Sequence, residues 1–158
     1  MKSSEKYCQH IEPSYEYITA MIGISYRFIS DHITRLAKEE GFPAFSMQYM
    51  AIIKNIEKTG TTVNGLAEKI SISKQAVSKM AKDLEKSGYI TTKKNPNDSR
   101  SVLMFPTPQA DDLIKFIRKH NQKFVKEFST VLNEKRAQAF ITDLHLLMRL
   151  IIDRATAK

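Results

Sequence analysis

The sequence predicts a mainly α fold interrupted by one β-ribbon, on three observations. Apolar residues recur at three- and four-residue steps along most of the chain, which is the period of an amphipathic helix. Five glycines and five prolines fall almost wholly between the periodic stretches, Gly23 being the exception, where helix breakers belong. Two short runs, 89–94 and 101–105, flank Asn95-Pro96-Asn97-Asp98, a turn-forming tetrapeptide between two strands.

Composition narrows the class. The chain has 158 residues, 42% hydrophobic and 27% charged, within the range of ordinary globular proteins. A single domain of this size buries about two thirds of its surface and needs neither disulfide nor metal to hold it. The lone cysteine, Cys8, cannot form an internal disulfide. No apolar run reaches the ~18 residues of a membrane span, and the N-terminus has no apolar signal core. The expectation is a cytoplasmic protein without a membrane role. The net charge of +8 points toward a polyanion, and its placement matters more than its size.

Residues 14–39 form a first long helix behind Pro13, with Ser14 as its cap and Gly41 after its end. Ile18, Ile22, Ser25, Ile29, His32, Ile33 and Leu36 lie on one face. A second helix spans 46–58, capped by Ser46, with Met50, Ile53 and Ile56 inward and Gly60 closing it. Helices three and four occupy 63–70 and 74–87. Thr107-Pro108 starts a fifth helix running to about residue 130, with Leu113, Ile117, His120, Phe124 and Phe128 on one face. A sixth opens near Asn133 and carries Ala137, Phe140, Ile141, Leu144, Met148 and Ile151. A helix of 24 residues is about 36 Å long, and the middle of the chain is too small to cover three such apolar helices. An identical partner chain is the simplest cover; a larger monomeric helical core is the alternative.

The middle stretch carries the function. Ala67 is small, Ile72 lies five residues on and Val77 ten residues on, which is the spacing of a helix-turn-helix. Leu66 and Ile70 face inward on the third helix, and Val77, Met80, Ala81 and Leu84 on the fourth. Ser71 takes the corner position where glycine is common, and Ser73 caps the fourth helix. The opposite face presents Lys74, Gln75, Ser78, Lys79 and Lys82. Glutamine can pair with adenine in a major groove, serine reads several base edges, and lysine meets phosphate or guanine. Glu85 and Lys86, in the last turn, read as solvated.

The ribbon follows at once, with Lys93 and Lys94 before its tip and Asp98 and Arg100 after it. A helix-turn-helix with a basic two-stranded ribbon is a winged helix, whose tip can reach the neighbouring minor groove with an arginine. Asp98 would hold the guanidinium or the turn backbone. Over 74–100 there are seven positive and three negative side chains, a net of +4, so half the excess charge sits in about a sixth of the chain.

The sequence from Gly88-Tyr89-Ile90 through Asp98-Ser99-Arg100 to Thr107 resembles the signature of the MarR/SlyA family of winged-helix regulators. The resemblance extends over about 14–152. It implies one domain over 1–158, with 46–106 as the DNA-binding lobe and 14–39 and 107–154 as intertwined dimerisation helices. It also implies an obligate homodimer, a palindromic double-stranded operator, the Asp98–Arg100 wing pair, and a small anionic or phenolic ligand. Two positions depart from the pattern: Pro106 replaces a leucine and Ala110 a glycine. Thiol-based sensors of the family carry a cysteine in the first helix, where Ala20-Met21-Ile22 stands here.

Several residues have plainer readings. Tyr26, Phe45, Met47 and Met50 could line a ligand pocket where the first two helices meet, or be ordinary core. Cys8 could be a redox switch beside Tyr7 and His10, or an inert thiol. The four histidines form no close metal-binding pair, and His32 and His120 fall on apolar faces, where core or interface roles are usual. No nucleophile elbow or phosphate-binding glycine loop occurs, so neither an enzyme nor a cofactor is expected. The reading is a homodimeric, sequence-specific DNA-binding regulator, a repressor released by a small ligand. The alternative is a winged-helix module that binds protein, which would need apolar anchors on the outward face of the fourth helix.

Overall fold

The computed structural model describes residues 11, 14–42 and 44–157, and the chain divides into two compact units, Met1–Ile114 and Lys115–Lys158. Cys8 lies outside the described residues. A 3-10 turn at Tyr15–Tyr17 leads straight into α1, Ile18–Glu39. The start is where the sequence places it, but the Ser14 hydroxyl makes no capping bond. Only Ile33 and Ala37 of α1 are buried; Ile18 and Ile22, on the apolar face that the middle of the chain was expected to leave uncovered, are 43% and 44% exposed.

The second helix is much shorter than the expected 46–58. A 3-10 turn at Met47–Tyr49 precedes α2, Met50–Ile53. Side chains end it. Asn55 Nδ2 donates to the Ala51 carbonyl at 2.8 Å, the acceptor its own backbone N–H would use in a continuing helix. That N–H turns to Ile52 instead, and the Glu57 N–H donates to Thr61 Oγ1 at 2.9 Å. Met50, Ile52, Ile53 and Ile56 nevertheless reach the core.

The helix-turn-helix comprises α3, Val63–Ile70, and α4, Lys74–Lys86. Thr62 caps α3 by accepting from the Gly65 N–H, and Ser73 caps α4 by accepting from the Ala76 N–H. Leu66, Ala67, Val77, Ala81 and Leu84 are buried. Burying each large aliphatic side chain contributes about 1.5–3 kcal/mol, and Ala67 keeps the facing surface low where the helices meet. Both helices close with the same pair of backbone bonds, as α1 does at Gly41 and Phe42. Ile72 N–H donates to Ala67 O and Ser71 N–H to Glu68 O; Tyr89 N–H donates to Leu84 O and Gly88 N–H to Glu85 O. The second closure uses Gly88 at φ +80°, whereas the first forces Ser71 to φ +54°.

The sheet holds three strands, one more than expected, in the order β1-β3-β2. They are β1, Thr61–Thr62; β2, Ile90–Asn95; and β3, Asp98–Pro106. β1 pairs antiparallel with β3 at Met104 and Leu103, and β2 pairs with β3 along its length. Gly60 precedes β1 at φ +98°, and a Cβ there would lie 2.8 Å from the Phe105 ring. The turn is tighter than 95–98: Asn95 pairs with Asp98, leaving Pro96 and Asn97 at the tip. Tip side chains close it, since Asn95 Nδ2 donates to Ser101 Oγ at 2.9 Å and Asn95 Oδ1 accepts from the Asn97 N–H at 3.0 Å. Thr107 then donates its hydroxyl to the carbonyls of Gly88, at 2.7 Å, and Tyr89, at 3.1 Å.

Next comes α5, Pro108–Leu132, which begins in the first unit with buried Ala110 and Leu113 and ends in the second. Within the second unit, Asn133 caps α6, Glu134–Thr156, by accepting from the Arg136 N–H. Phe124, Phe128 and Phe140 form a chain of edge contacts, with centroids 4.7 and 5.9 Å apart. Along α6 the side chains of Leu144, Leu146, Met148, Leu150, Ile151 and Ile152 are exposed. No helix among the described residues is long and apolar enough to cross a membrane.

Candidate nucleic-acid interface

The apolar stripe of α4 faces the core, so its remaining face is set by subtraction. Lys74, Gln75, Lys79 and Lys82 are exposed, and Ser78 is half-buried at the stripe's edge. Ser73 holds the first turn through its bond to the Ala76 N–H at 3.2 Å. The four exposed side chains enter no hydrogen bond or ion pair among the described residues, so their donors are available to a ligand. Partial positive charge at the N-terminus of α4 adds to them.

The wing adds a second group. Lys93 Nζ sits 5.5 Å from the centre of the Phe105 ring, which restrains it with a cation–π contact. Lys94 is exposed, and so are all residues from 96 to 100. Asp98 does not sequester the Arg100 guanidinium; its Oδ1 accepts the Arg100 backbone N–H at 3.0 Å. Of the two roles expected for Asp98, the backbone one is observed. Arg100 is thereby presented at the tip with its guanidinium directed to no partner among the described residues.

Glu85 departs from the expectation of a solvated side chain. Its Oε1 accepts the Thr92 N–H at 2.9 Å and the Thr92 hydroxyl at 2.6 Å. This ties the last turn of α4 to β2. No sequence signal marks the pair, which lies seven residues apart across a helix end and a strand start. Nearby, Tyr49 donates its hydroxyl to Asp83 Oδ2 at 3.4 Å. Burial, and then the Asp83 carboxylate, push the Tyr49 phenol above its ordinary value. Burial likewise raises Tyr89, with a hydrogen bond from Gln109 pulling partly back.

The four residues read as a ligand pocket do not share one environment. Phe45 and Met50 are 6% exposed and belong to the core, Met47 is half-buried, and Tyr26 is 59% exposed. An open depression of about 540 Å³ is lined instead by Ala44, Tyr49, Asp83, Lys86 and Ser87. His32 is exposed and lies 3.1 Å from Arg35, while His120 is half-buried against the Phe116 ring at 4.4 Å. Among the described residues no group of His, Cys, Asp and Glu is placed to hold a metal.

Comparison with known proteins agrees with this geometry. Residues 46–102 match the MarR family, a stretch running from just before α2 into β3. The resemblance read between Gly88 and Arg100 falls inside it. Among curated proteins, none matches the chain in sequence. Solved structures match almost end to end. A SlyA-like transcription regulator from Listeria monocytogenes is 23% identical, with TM-score 0.67 over 87% of this chain and 90% of that one. A MarR protein from Peptoclostridium difficile is 17% identical, with TM-score 0.70 over 91% and 93%. FabT of Streptococcus pneumoniae, solved in complex with DNA, is 17% identical, with TM-score 0.71 over 89% and 99%. At these identities the likeness is one of fold: a mainly α winged-helix fold.

Proposed function

We propose that this chain, with its MarR-family lobe, is a sequence-specific DNA-binding transcription regulator. It acts in the cytoplasm as a homodimer that represses its target and is released by a small anionic or phenolic ligand. The observation that carries the reading is the capped α4, which turns Lys74, Gln75, Lys79 and Lys82 outward with no partner among the described residues.

Each protomer would place α4 in a major groove, with Gln75 and Ser78 at base edges and the lysines at phosphates. Lys93, Lys94 and Arg100 would follow the backbone into the flanking minor groove, where negative potential favours arginine. Two protomers would read half-sites about 34–36 Å apart. The exposed apolar side chains of α1 and α6 support a second copy as their cover. A ligand would release DNA by favouring a lobe spacing that misses the half-sites. Of Tyr26, Phe45, Met47 and Met50, the side chains read for that ligand, only Tyr26 and Met47 are accessible to it within one chain, since Phe45 and Met50 belong to the core. Protein binding through α4 is disfavoured, because its outward face offers no apolar anchor.

Sedimentation with random-sequence duplex fragments at low and high salt tests the reading. A dimer that co-sediments with DNA and lets go steeply as salt rises is expected, because each neutralised phosphate contributes about 0.9 to the slope of log affinity against log salt. A monomer indifferent to DNA at low salt would refute it.

A further inference from the structure

The wing is a cantilever. At Thr61 and Thr62 the sheet is three strands wide, with β3 held between β1 and β2 around Leu103 and Met104. Past that point, toward the tip, only the β2–β3 pair continues, and its residues are mostly exposed. Thr92 sits opposite Met104, one residue inside the tip-side edge of the supported part. There Glu85 accepts both of its polar hydrogens, the N–H at 2.9 Å and the hydroxyl at 2.6 Å. Beyond Thr92 the wing's side chains turn to one another, with Lys93 over the Phe105 ring and Asn95 bonded to Ser101 and Asn97.

The tether joins two reading elements. Glu85 belongs to the last turn of α4, and Arg100 lies four residues past Met104 toward the tip. At the rise of a strand that is a lever of about 13 Å. A tilt of about 10° at the pivot would move Arg100 by about 2 Å, enough to break a hydrogen bond of ordinary length. Two bonds to one carboxylate oxygen, from a backbone and a side-chain donor of the same residue, resist such a tilt better than one. Ionised acceptors also make the stronger bonds.

We infer that Glu85 is a positioning residue for DNA recognition. Through Thr92 it fixes the tilt of the wing against α4, so that helix and wing engage one half-site as a single rigid reader. The role rests on the DNA-reading function proposed above. It assigns Glu85 no contact with DNA, and it acts through the placement of Arg100.

The test uses the full-length protein and the duplex that the wild type itself enriches from a random-sequence pool, at fixed salt. Glu85→Ala should weaken binding about tenfold, the scale of a single charge-assisted hydrogen bond. Glu85→Gln, which keeps an acceptor oxygen in place, should stay within about twofold of the wild type. In the Arg100→Ala background, Glu85→Ala should add nothing. Hydroxyl-radical footprints should lose protection in the flanking minor groove and keep it in the major-groove half-sites. A purely structural role would not produce that split. Thr92→Val, a shape-conserving change that removes the hydroxyl alone, should move affinity and footprint the same way by less, and guards against Glu85→Ala failing to fold. A loss that persists undiminished without Arg100, or a footprint unchanged in Glu85→Ala and Thr92→Val, overturns the role alone. If the wild type enriches no duplex, the DNA-reading function falls and this role falls with it.

Discussion

In the winged lobe apolar side chains meet one another; in the long helices of the second unit many of them meet solvent. Leu66, Val77, Leu84, Tyr89 and Met104 are fully buried within a lobe of modest size. Among the described residues of α6 only Ala137 is buried, and most of the large aliphatic residues stand about half exposed, Leu150 at 50% and Ile151 at 54%. Both regions are built from amphipathic helices. The difference is that the lobe folds its apolar stripes against each other through a corner and a sheet, whereas the two long helices of the second unit leave apolar faces open. A contiguous exposed apolar surface of that kind is an association site by default. Under the function proposed above, the lobe would recognise DNA on a core of its own, and the second unit would supply the surface for assembly.

The largest effect should come from spoiling the unfinished surface. Leu150→Glu/Ile151→Glu places two charges on adjacent stripes of α6, where the side chains are already half exposed. Within one chain the change removes little burial. Between chains it buries charge, and the proposed dimer should sediment as a monomer. Retention on the enriched duplex should fall by about a hundredfold or more, since the second lobe no longer benefits from being linked to the first. A double variant that remains dimeric and keeps its DNA would erase the distinction between the two regions.

The next effect sharpens the other side. Leu84→Ala opens a cavity at a fully buried position of α4 and should destabilise the fold by about 3 kcal/mol in denaturant melts. It should leave dimer dissociation unchanged at temperatures where the lobe stays folded. A loss below about 1 kcal/mol would mean that the lobe core can collapse around the gap and is looser than its burial implies.

These two predictions also mark how far the sequence could be read. Periodicity located Val77, Ala81 and Leu84 on the inward face, and the serine before Lys74 announced the cap that Ser73 makes. Periodicity reports that a face is apolar, not what covers it, so it placed Ile18 and Ile22 on one face of α1 but could not say that they stand exposed within one chain. The missed features depend on single side chains acting across turns. Asn55 and Thr61 take over the hydrogen bonds of α2 and end it early. β1 has two residues, too few to show any alternation. Glu85 finds Thr92 only after a helix has ended and a strand has begun. The outward face of α4 was legible because it is what remains once the buried stripe is known; the tether was not, because no pattern stands behind it.

The smallest predicted effect concerns the corner within the lobe. The same two-bond closure ends α3 and α4, with Ser71 at φ +54° in one and Gly88 at φ +80° in the other. A side chain in the left-handed region costs about 1 kcal/mol or more, and Ser71 is exposed with no bond from its hydroxyl among the described residues. Ser71→Gly relieves that strain but gives the unfolded chain more freedom, which returns part of the gain. The net should be a stabilisation of about 0.5 kcal/mol, with DNA affinity unchanged because Ser71 is not among the groove-reading residues. The reciprocal change, Gly88→Ser, meets both the positive φ and the Gln109 Oε1 atom 2.8 Å from the new Cβ, and should destabilise by about 1–3 kcal/mol. Equal and small effects at both corners would mean that the closure bonds, not the conformation of the residue inside them, set the helix ends. Unequal effects in the stated order would place the strain at Ser71, in the turn that aims α4.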